Sequence, residues 1–232
     1  MPAIGWRHRT RSPHRGKGKL ALRLLLRLNA GMDALLDGYR RYRAQTWPHL
    51  RALHKRLSEN GQRPRTLVIA CSDSRVDPST IFDVGPGELF VVRNVANLAP
   101  PFEQGGGYHG VSAAIEFAVT RLEVSTILVL GHAQCGGVAH ALAQTEHDGS
   151  FLDAWVSLLE PAKARLAPHE ADRCTALEYE SIRVTLENLR TFPFVADAIA
   201  RRGLKLEGAR YGVADGVLER MEPATGAFSP VV

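Results

Sequence analysis

The sequence has few cysteines and no long hydrophobic run, and both shortages narrow the class of protein. Three cysteines in 232 residues are too few for the disulfide framework of a small secreted domain, so we expect a reducing compartment, the cytoplasm. No stretch approaches the ~18 uninterrupted apolar residues of a membrane span. A hydrophobic fraction of 45% and a charged fraction of 23% are typical of a soluble globular domain with a sizeable core.

Acidic residues are absent from residues 1–31, which hold eight of the 29 Lys and Arg residues. The other 201 residues contain 21 basic and 24 acidic side chains, so the net charge of +5 comes from this tail. The rest of the chain has no electrostatic footprint for nucleic acid. We expect residues 1–31 to be a disordered basic extension, or an over-long gene start before Met32, and residues 32–232 to form a single domain. An organelle-targeting role for the Arg-rich tail stays open.

Short apolar, β-branched runs alternate with helical patterns along the chain, which predicts an α/β fold with a mostly parallel sheet flanked by helices. Residues 32–60 predict an N-terminal helical arm in two segments, because Pro48 interrupts the helical spacing. Residues 151–202 predict a helical block. Strands are predicted at Thr66–Ile69, Glu88–Val92 and Thr126–Leu130, with C-terminal edge strands at 204–211 and 217–221. The first strand is not followed by G-x-G-x-x-G, which argues against a dinucleotide site.

Candidate metal ligands follow two of the predicted strands. Cys71 stands at the end of the first strand, and His132 and Cys135 follow the third. The carboxyl ends of strands in an open α/β sheet meet at the edge where ligands bind. Alone, each of these residues would more often be a buried core side chain. Together, two thiolates and one imidazole suit zinc, and three ligands leave a position for water, as in catalytic zinc sites.

Two further residue pairs stand close to these ligands. Asp73 could ligate the metal, accept a hydrogen bond from metal-bound water, or make only an Asx-type turn. Arg75 can pair with it bidentately and hold it as an anion turned off the metal. Gly136 and Gly137 leave the first amides of the following helix unobstructed, or serve only tight packing.

Cys174, far along the chain, is expected to be a core thiol.

Three segments resemble the β-class carbonic anhydrases. They are Cys-Ser-Asp-Ser-Arg at 71–75, Pro-Gly-Glu-Leu-Phe-Val-Val-Arg-Asn-Val-Ala-Asn at 86–97 and Gly-His-Ala-Gln-Cys-Gly-Gly at 131–137. The resemblance covers about residues 32–230. It implies a zinc enzyme that converts carbon dioxide reversibly to bicarbonate and a proton. It also implies a parallel sheet and a homodimer as the smallest unit, or a higher homo-oligomer, without nucleic acid or a membrane span.

The resemblance assigns the zinc ligands to Cys71, His132 and Cys135, and a catalytic pair to Asp73 and Arg75. It implies that a zinc-bound hydroxide attacks carbon dioxide while the Asp–Arg pair orients it.

Two variants of the family differ near the first cysteine. In one, a tryptophan stands three residues before the cysteine and the aspartate closes onto zinc; here that position is Val68. In the other, plant-like variant, a glutamine stands nine residues before the cysteine and helps to hold the substrate; here that position is Gln62. The resemblance therefore implies an open, plant-like site, in which Asp73 would be a ligand only in a closed state.

The substrate wall of the plant-like variant falls on Phe90 and Val95, and on Phe117, which replaces a tyrosine and so lacks its hydroxyl. The Gly136 amide is the expected hydrogen-bond donor to the substrate. Gln62, reaching across the dimer, is expected to polarise a substrate oxygen.

Two alternatives stay open. The same fold could hydrolyse a related molecule such as carbonyl sulfide or carbon disulfide. The chain could also be a non-catalytic zinc-binding or bicarbonate-sensing module, which would hold zinc with four ligands in a closed site.

Overall fold

The computed structural model describes residues 31–104, 107–143 and 149–231. The predicted basic extension of residues 1–31 lies outside these ranges except for Gly31, which begins the first helix. Of the described residues, 31–56 belong to one compact unit and those from Leu57 onward to a second.

The N-terminal arm is helical, as predicted. Helix α1 (Gly31–Arg41) leads into a π-helical turn (Tyr42–Thr46) and then into α2 (Trp47–Asn60). The predicted division into two segments is confirmed, because Pro48 lies in the first turn of α2, directly after the π-helical turn. The Trp47 amide donates to the Tyr42 carbonyl across this turn, and proline, which has no amide hydrogen, cannot make such a bond at the next position.

A six-stranded sheet forms the centre of the second unit. Its strands are β1 (Thr66–Cys71), β2 (Leu89–Asn94), β3 (Thr126–His132), β4 (Lys205–Tyr211), β5 (Leu218–Met221) and β6 (Phe228–Pro230). They lie in the order β2-β1-β3-β4-β5-β6; the first four in this order are parallel, and the last two pair antiparallel at one edge. The predicted fold class is confirmed, but the strand predicted as an edge strand at 204–211 is β4, which has a neighbour on each side.

Three parallel strands continue beyond the apolar runs that predicted them. Cys71 is the last residue of β1, opposite Asn94 of β2, and His132 is the last residue of β3, opposite Tyr211 of β4. Both candidate ligands are thus fixed by sheet hydrogen bonds rather than by loops. The short β6 was not predicted, because three residues that include a proline give almost no strand signal.

The helices alternate with the parallel strands and then form the block predicted at 151–202, which is more divided than expected. They are α3 (Pro78–Ile81), α4 (Gly110–Thr120), α5 (Gly136–Ala143), α6 (Phe151–Val156), α7 (Glu160–Lys163), α8 (Arg173–Arg190) and α9 (Pro193–Arg202), with 3-10 turns at Val95–Asn97 and Ser157–Leu159. Among the described helices, none combines the length and the apolar composition that crossing a membrane requires.

Side chains of β1 alternate between two buried clusters. Leu67 and Ile69 join the main core, which combines the sheet with apolar residues of α4, α8 and α9. Val68 and Ala70, with opposite orientation, belong to a smaller cluster. This alternation follows from the two-residue period of a strand, and it fixes which way Cys71 points at the strand's end.

Close packing of α8 on the sheet depends on Gly131 of β3. A Cβ at Gly131 would lie 2.8 Å from Cδ1 of Ile182, a fully buried residue of α8. The lack of a side chain at Gly131 lets the helix approach the strand one residue before His132.

We predict that Gly131→Ala lowers the free energy of unfolding by about 1–3 kcal/mol, because the added methyl group overpacks the interface. Ile182→Val in the same chain should recover part of this loss, since it removes the Cδ1 atom that the new methyl group meets. Urea unfolding of both single variants and the double variant at fixed zinc concentration measures the effect. Strictly additive destabilisation in the double variant would contradict the proposed contact.

Candidate metal centre and active site

Three potential ligands converge at the carboxyl edge of the sheet. Cys71 ends β1, His132 ends β3, and Cys135 lies in the turn that leads into α5. Their ligand atoms all lie within 4.8 Å of one another, and the two sulfur atoms are 3.9 Å apart. All three side chains are buried. The structure thus brings together residues that are up to 64 positions apart in the sequence.

The two imidazole nitrogens of His132 differ in their hydrogen bonding. Nδ1 lies 2.9 Å from the carbonyl oxygen of Ala133, which can only accept, so Nδ1 donates this bond. Nε2 is therefore the nitrogen with a lone pair, and within the described parts of the chain it is buried without a hydrogen-bond partner. Leaving a buried polar atom unpaired costs free energy. A metal ion between this nitrogen and the two sulfurs would satisfy it, and a sulfur–sulfur–nitrogen set suits zinc.

The two neighbouring thiols have opposite pKa shifts. A hydrogen bond with Cys135 lowers the pKa of Cys71 well below that of an ordinary thiol, although burial works against this. The same hydrogen bond, together with burial, raises the pKa of Cys135. Two adjacent thiolates repel each other in a buried site. Both can ionise together only with a cation between them, which is the electrostatic condition of a metal site.

Asp73 is held by Arg75 rather than grouped with the three ligands. The guanidinium donates from Nε to Oδ1 at 2.9 Å and from Nη2 to Oδ2 at 2.7 Å, and the Arg75 amide also donates to Oδ1 at 2.9 Å. These bonds hold the pKa of Asp73 well below its usual range. Asp73 is therefore an oriented carboxylate throughout the neutral range.

The beginning of α5 adds backbone and apolar groups to the site. A Cβ at Gly137 would lie 2.5 Å from Cγ1 of Val95, so only glycine lets Val95 pack there. Trp155 donates from its indole nitrogen to the Val95 carbonyl at 2.8 Å and holds this residue in place. A Cβ at Gly136 would meet nothing within 4 Å among the described residues. The structure thus leaves open space beside Gly136, the first residue of α5 and the residue after Cys135.

The other predicted substrate residues lie away from the ligands of their own chain. Phe90 and Phe117 contact each other, with ring centroids 5.8 Å apart. Phe90 precedes Asn94, the partner of Cys71, by four residues along β2, about 13 Å at ~3.3 Å per residue. Gln62 is exposed and precedes β1, at the opposite end of that strand from Cys71.

Residues 66–218 match the carbonic anhydrase family model. The chain is also 33% identical to beta carbonic anhydrase 3 of Arabidopsis thaliana over 200 residues, which are 82% of this chain and 77% of that protein.

The chain belongs to the β-class carbonic anhydrases.

Solved structures of the same class agree with this assignment. The β-carbonic anhydrase CcaA superimposes with a TM-score of 0.76 at 30% identity, over 88% of this chain and 93% of that one. A structure from a study of two tetrameric β-carbonic anhydrases of Sordaria macrospora has a TM-score of 0.62 at 27% identity, over 93% of this chain and 100% of that one. The protein described here is thus an enzyme of the carbonic anhydrase type.

Arg93 is a residue near the metal centre of this carbonic anhydrase that the sequence analysis did not single out. From β2 it donates to the carbonyl oxygens of Cys71 at 2.8 Å and Asp73 at 2.6 Å. It therefore fixes the backbone on both sides of Ser72. The sequence shows that an Arg-Asn pair follows an apolar strand. It does not show the contacts of Arg93 with the two carbonyls, because these depend on the parallel register that sets Arg93 opposite Ala70.

We predict that the purified enzyme carries one zinc ion per chain and that Cys71→Ser loses it, because a serine hydroxyl does not replace a thiolate as a zinc ligand. Cys174→Ser is the matched control, since Cys174 is a free thiol on α8 outside the ligand group. Elemental analysis after gel filtration gives the metal content of each variant. Full zinc content in Cys71→Ser would contradict the assignment of this ligand.

Proposed function

We propose that the enzyme interconverts carbon dioxide and bicarbonate with a zinc ion held by Cys71, His132 and Cys135. The observation that carries the proposal is the buried Nε2 of His132, which has no hydrogen-bond partner among the residues that the structure describes. It converges with two thiols beside the carboxylate of Asp73, which Arg75 holds. When bound in a three-ligand site, zinc acts as a Lewis acid that makes water a nucleophile near neutral pH.

Asp73 would orient the attacking water. Arg75 keeps this carboxylate ionised and donates two hydrogen bonds to Oδ1 and one to Oδ2. One lone pair, on Oδ2, is left to accept a proton of the water, which sets the direction of that bond. The lone pair of the water oxygen is then aimed at the carbon of carbon dioxide. Such preorganisation lowers the barrier, because little rearrangement is needed as charge develops.

An apolar wall and one amide would hold the substrate. Carbon dioxide is small and uncharged, and the partly exposed Val95 beside Gly137 offers it an apolar surface. The Gly136 amide, at the start of α5, can donate to a substrate oxygen that becomes negative as bicarbonate forms.

Gln62, Phe90 and Phe117 would serve the metal centre of a second copy of the chain. Their distance from Cys71 within one chain supports this arrangement, as does the 45% exposure of Phe117. The Sordaria macrospora relatives are described as tetrameric, which supports a homodimer or a higher homo-oligomer here. The free state of all three cysteines within the described residues supports a cytoplasmic location.

Replacing the proposed acceptor tests the chemistry. Asp73→Asn should lower kcat/KM for carbon dioxide hydration by about a hundredfold, because the neutral amide accepts the water proton poorly. Its zinc content should be unchanged. Stopped-flow hydration with a pH indicator measures the rate.

Asp172→Asn is the matched control for this substitution. Asp172 caps α8 by accepting from the Thr175 amide at 3.0 Å, and asparagine is an equally good cap. The control should retain wild-type hydration. Wild-type hydration in Asp73→Asn would contradict the proposed role. A wild-type enzyme that hydrolyses carbonyl sulfide but does not hydrate carbon dioxide would contradict the proposed substrate.

A subunit-complementation experiment tests the shared site. Gln62→Ala and Cys71→Ser should each be impaired alone. Mixed oligomers, isolated with two affinity tags after co-expression, should regain hydration activity, because the intact metal centre of one chain meets the intact Gln62 of the other. The pair Asp73→Asn and Cys71→Ser should not recover, since both groups act in the same chain. Activity of the first mixture no higher than the mean of its parents would show that Gln62 does not act across chains.

A further inference from the structure

Glu178 is a buried carboxylate next to the metal centre that the proposed reaction does not use. It lies on α8 and is 2% exposed. Its Oε1 accepts from the backbone amide of Cys135 at 3.3 Å, and the Cys174 thiol lies 4.0 Å from the same oxygen. The side chain thus touches the backbone of a candidate ligand from the side of the protein interior.

The other oxygen of Glu178 binds Arg210 of β4. Oε2 accepts from Nε of the guanidinium at 3.0 Å and from Nη2 at 2.8 Å. Arg210 also pairs with Glu219 of β5 at 2.9 Å, and its side chain is only 12% exposed. A buried charge is costly unless it is paired and hydrogen-bonded. The ion pair with Arg210 therefore offsets the cost of burying the Glu178 carboxylate next to Cys135.

The contact with Glu178 completes a clamp on one peptide group. The carbonyl of Gln134 and the amide of Cys135 belong to the same planar unit. Arg75 donates from Nη2 to that carbonyl at 3.1 Å, while Glu178 accepts from that amide. The peptide is thus held at both ends, from the catalytic side by Arg75 and from the interior by Glu178.

This peptide needs external support because of its backbone conformation. Gln134 has a φ of +58°, in the left-handed region that non-glycine residues seldom adopt. Such conformations persist where surrounding contacts impose them. A rotation of this peptide would turn the Cys135 sulfur and would also move the carbonyl that Arg75 binds.

We propose that Glu178, supported by its ion pair with Arg210, is a positioning residue of the metal centre. By fixing the Gln134–Cys135 peptide it sets the direction of the Cys135 sulfur and the position of Arg75. The inference rests on the proposed metal site and assigns no contact between Glu178 and the substrate.

Glu178→Gln in the full-length protein is the central test. Glutamine keeps the volume, but its NH2 group replaces one of the two accepting oxygens and cannot accept from the Cys135 amide or from the guanidinium. We expect zinc affinity, measured by competition with a chromophoric chelator, to weaken about tenfold, as for other groups that orient metal ligands. The thiolate-to-cobalt charge-transfer band of the cobalt-substituted variant should shift, because the geometry at the Cys135 sulfur changes. A merely structural role would leave this band in place.

Glu219→Gln is the matched control. It removes the other carboxylate of Arg210, which also accepts from the Tyr179 hydroxyl at 2.8 Å. In the zinc-free form we expect this control and Glu178→Gln both to lose thermal stability. Only in the control should zinc affinity and the cobalt spectrum stay as in the wild type. Arg210→Lys is a second variant, in which an ammonium group replaces the two-pronged contact with Glu178. It should weaken zinc binding in the same direction.

The outcomes separate this inference from the proposed function. Wild-type zinc affinity and an unshifted cobalt band in both Glu178→Gln and Arg210→Lys would overturn the positioning role alone. A wild-type enzyme that binds no zinc would overturn the proposed function and this inference together. If Glu178→Gln is not recovered as a folded protein, Arg210→Lys decides between the two results.

Discussion

The parallel ladder between β1 and β3 sets Ala70 opposite Leu130, so that Cys71 and His132 leave the sheet at the same edge. Side chains alternate along a strand, and a slip of one residue would turn Cys71 to the opposite face of the sheet. The same slip would turn Leu67 and Ile69 out of the main core and into the smaller cluster of Val68 and Ala70. The packing of Leu67 and Ile69 therefore opposes it. The hydrophobic core therefore specifies the ligand geometry as well as the fold.

Three arginines around this edge of the sheet donate hydrogen bonds to carboxylates and backbone carbonyls next to the metal ligands. Arg75 pairs with Asp73, Arg93 binds the carbonyls on either side of Ser72, and Arg210 pairs with Glu178 behind Cys135. Each comes from a different part of the chain, and each fixes backbone or carboxylate rather than a thiol. The result is a rigid frame in which two cysteines and one histidine can keep a geometry that suits a metal.

One chain contains the ligands and the Asp73–Arg75 pair, but Phe90 and Phe117 form their contact elsewhere. Val95, whose carbonyl is held by Trp155, is the predicted wall residue that lies against the start of α5 beside the ligands. The proposed division of the site between copies would link assembly to catalysis. The direction of the strands supports this proposal, since Gln62 and Phe90 lie toward the opposite end of β1 and β2 from Cys71 within one protomer.

The sequence by itself determined the fold class and the ligand types. The β-branched runs before Cys71 and His132 predicted parallel strands, and two thiols with an imidazole at strand ends predicted a metal. The tertiary structure decided where strands end, how Pro48 is accommodated and that Phe228–Pro230 forms a strand. It also decided the roles of Arg93 and Glu178, whose partners lie 20 to 43 residues away. Local patterns report propensity and periodicity, whereas these contacts depend on register and packing between distant segments.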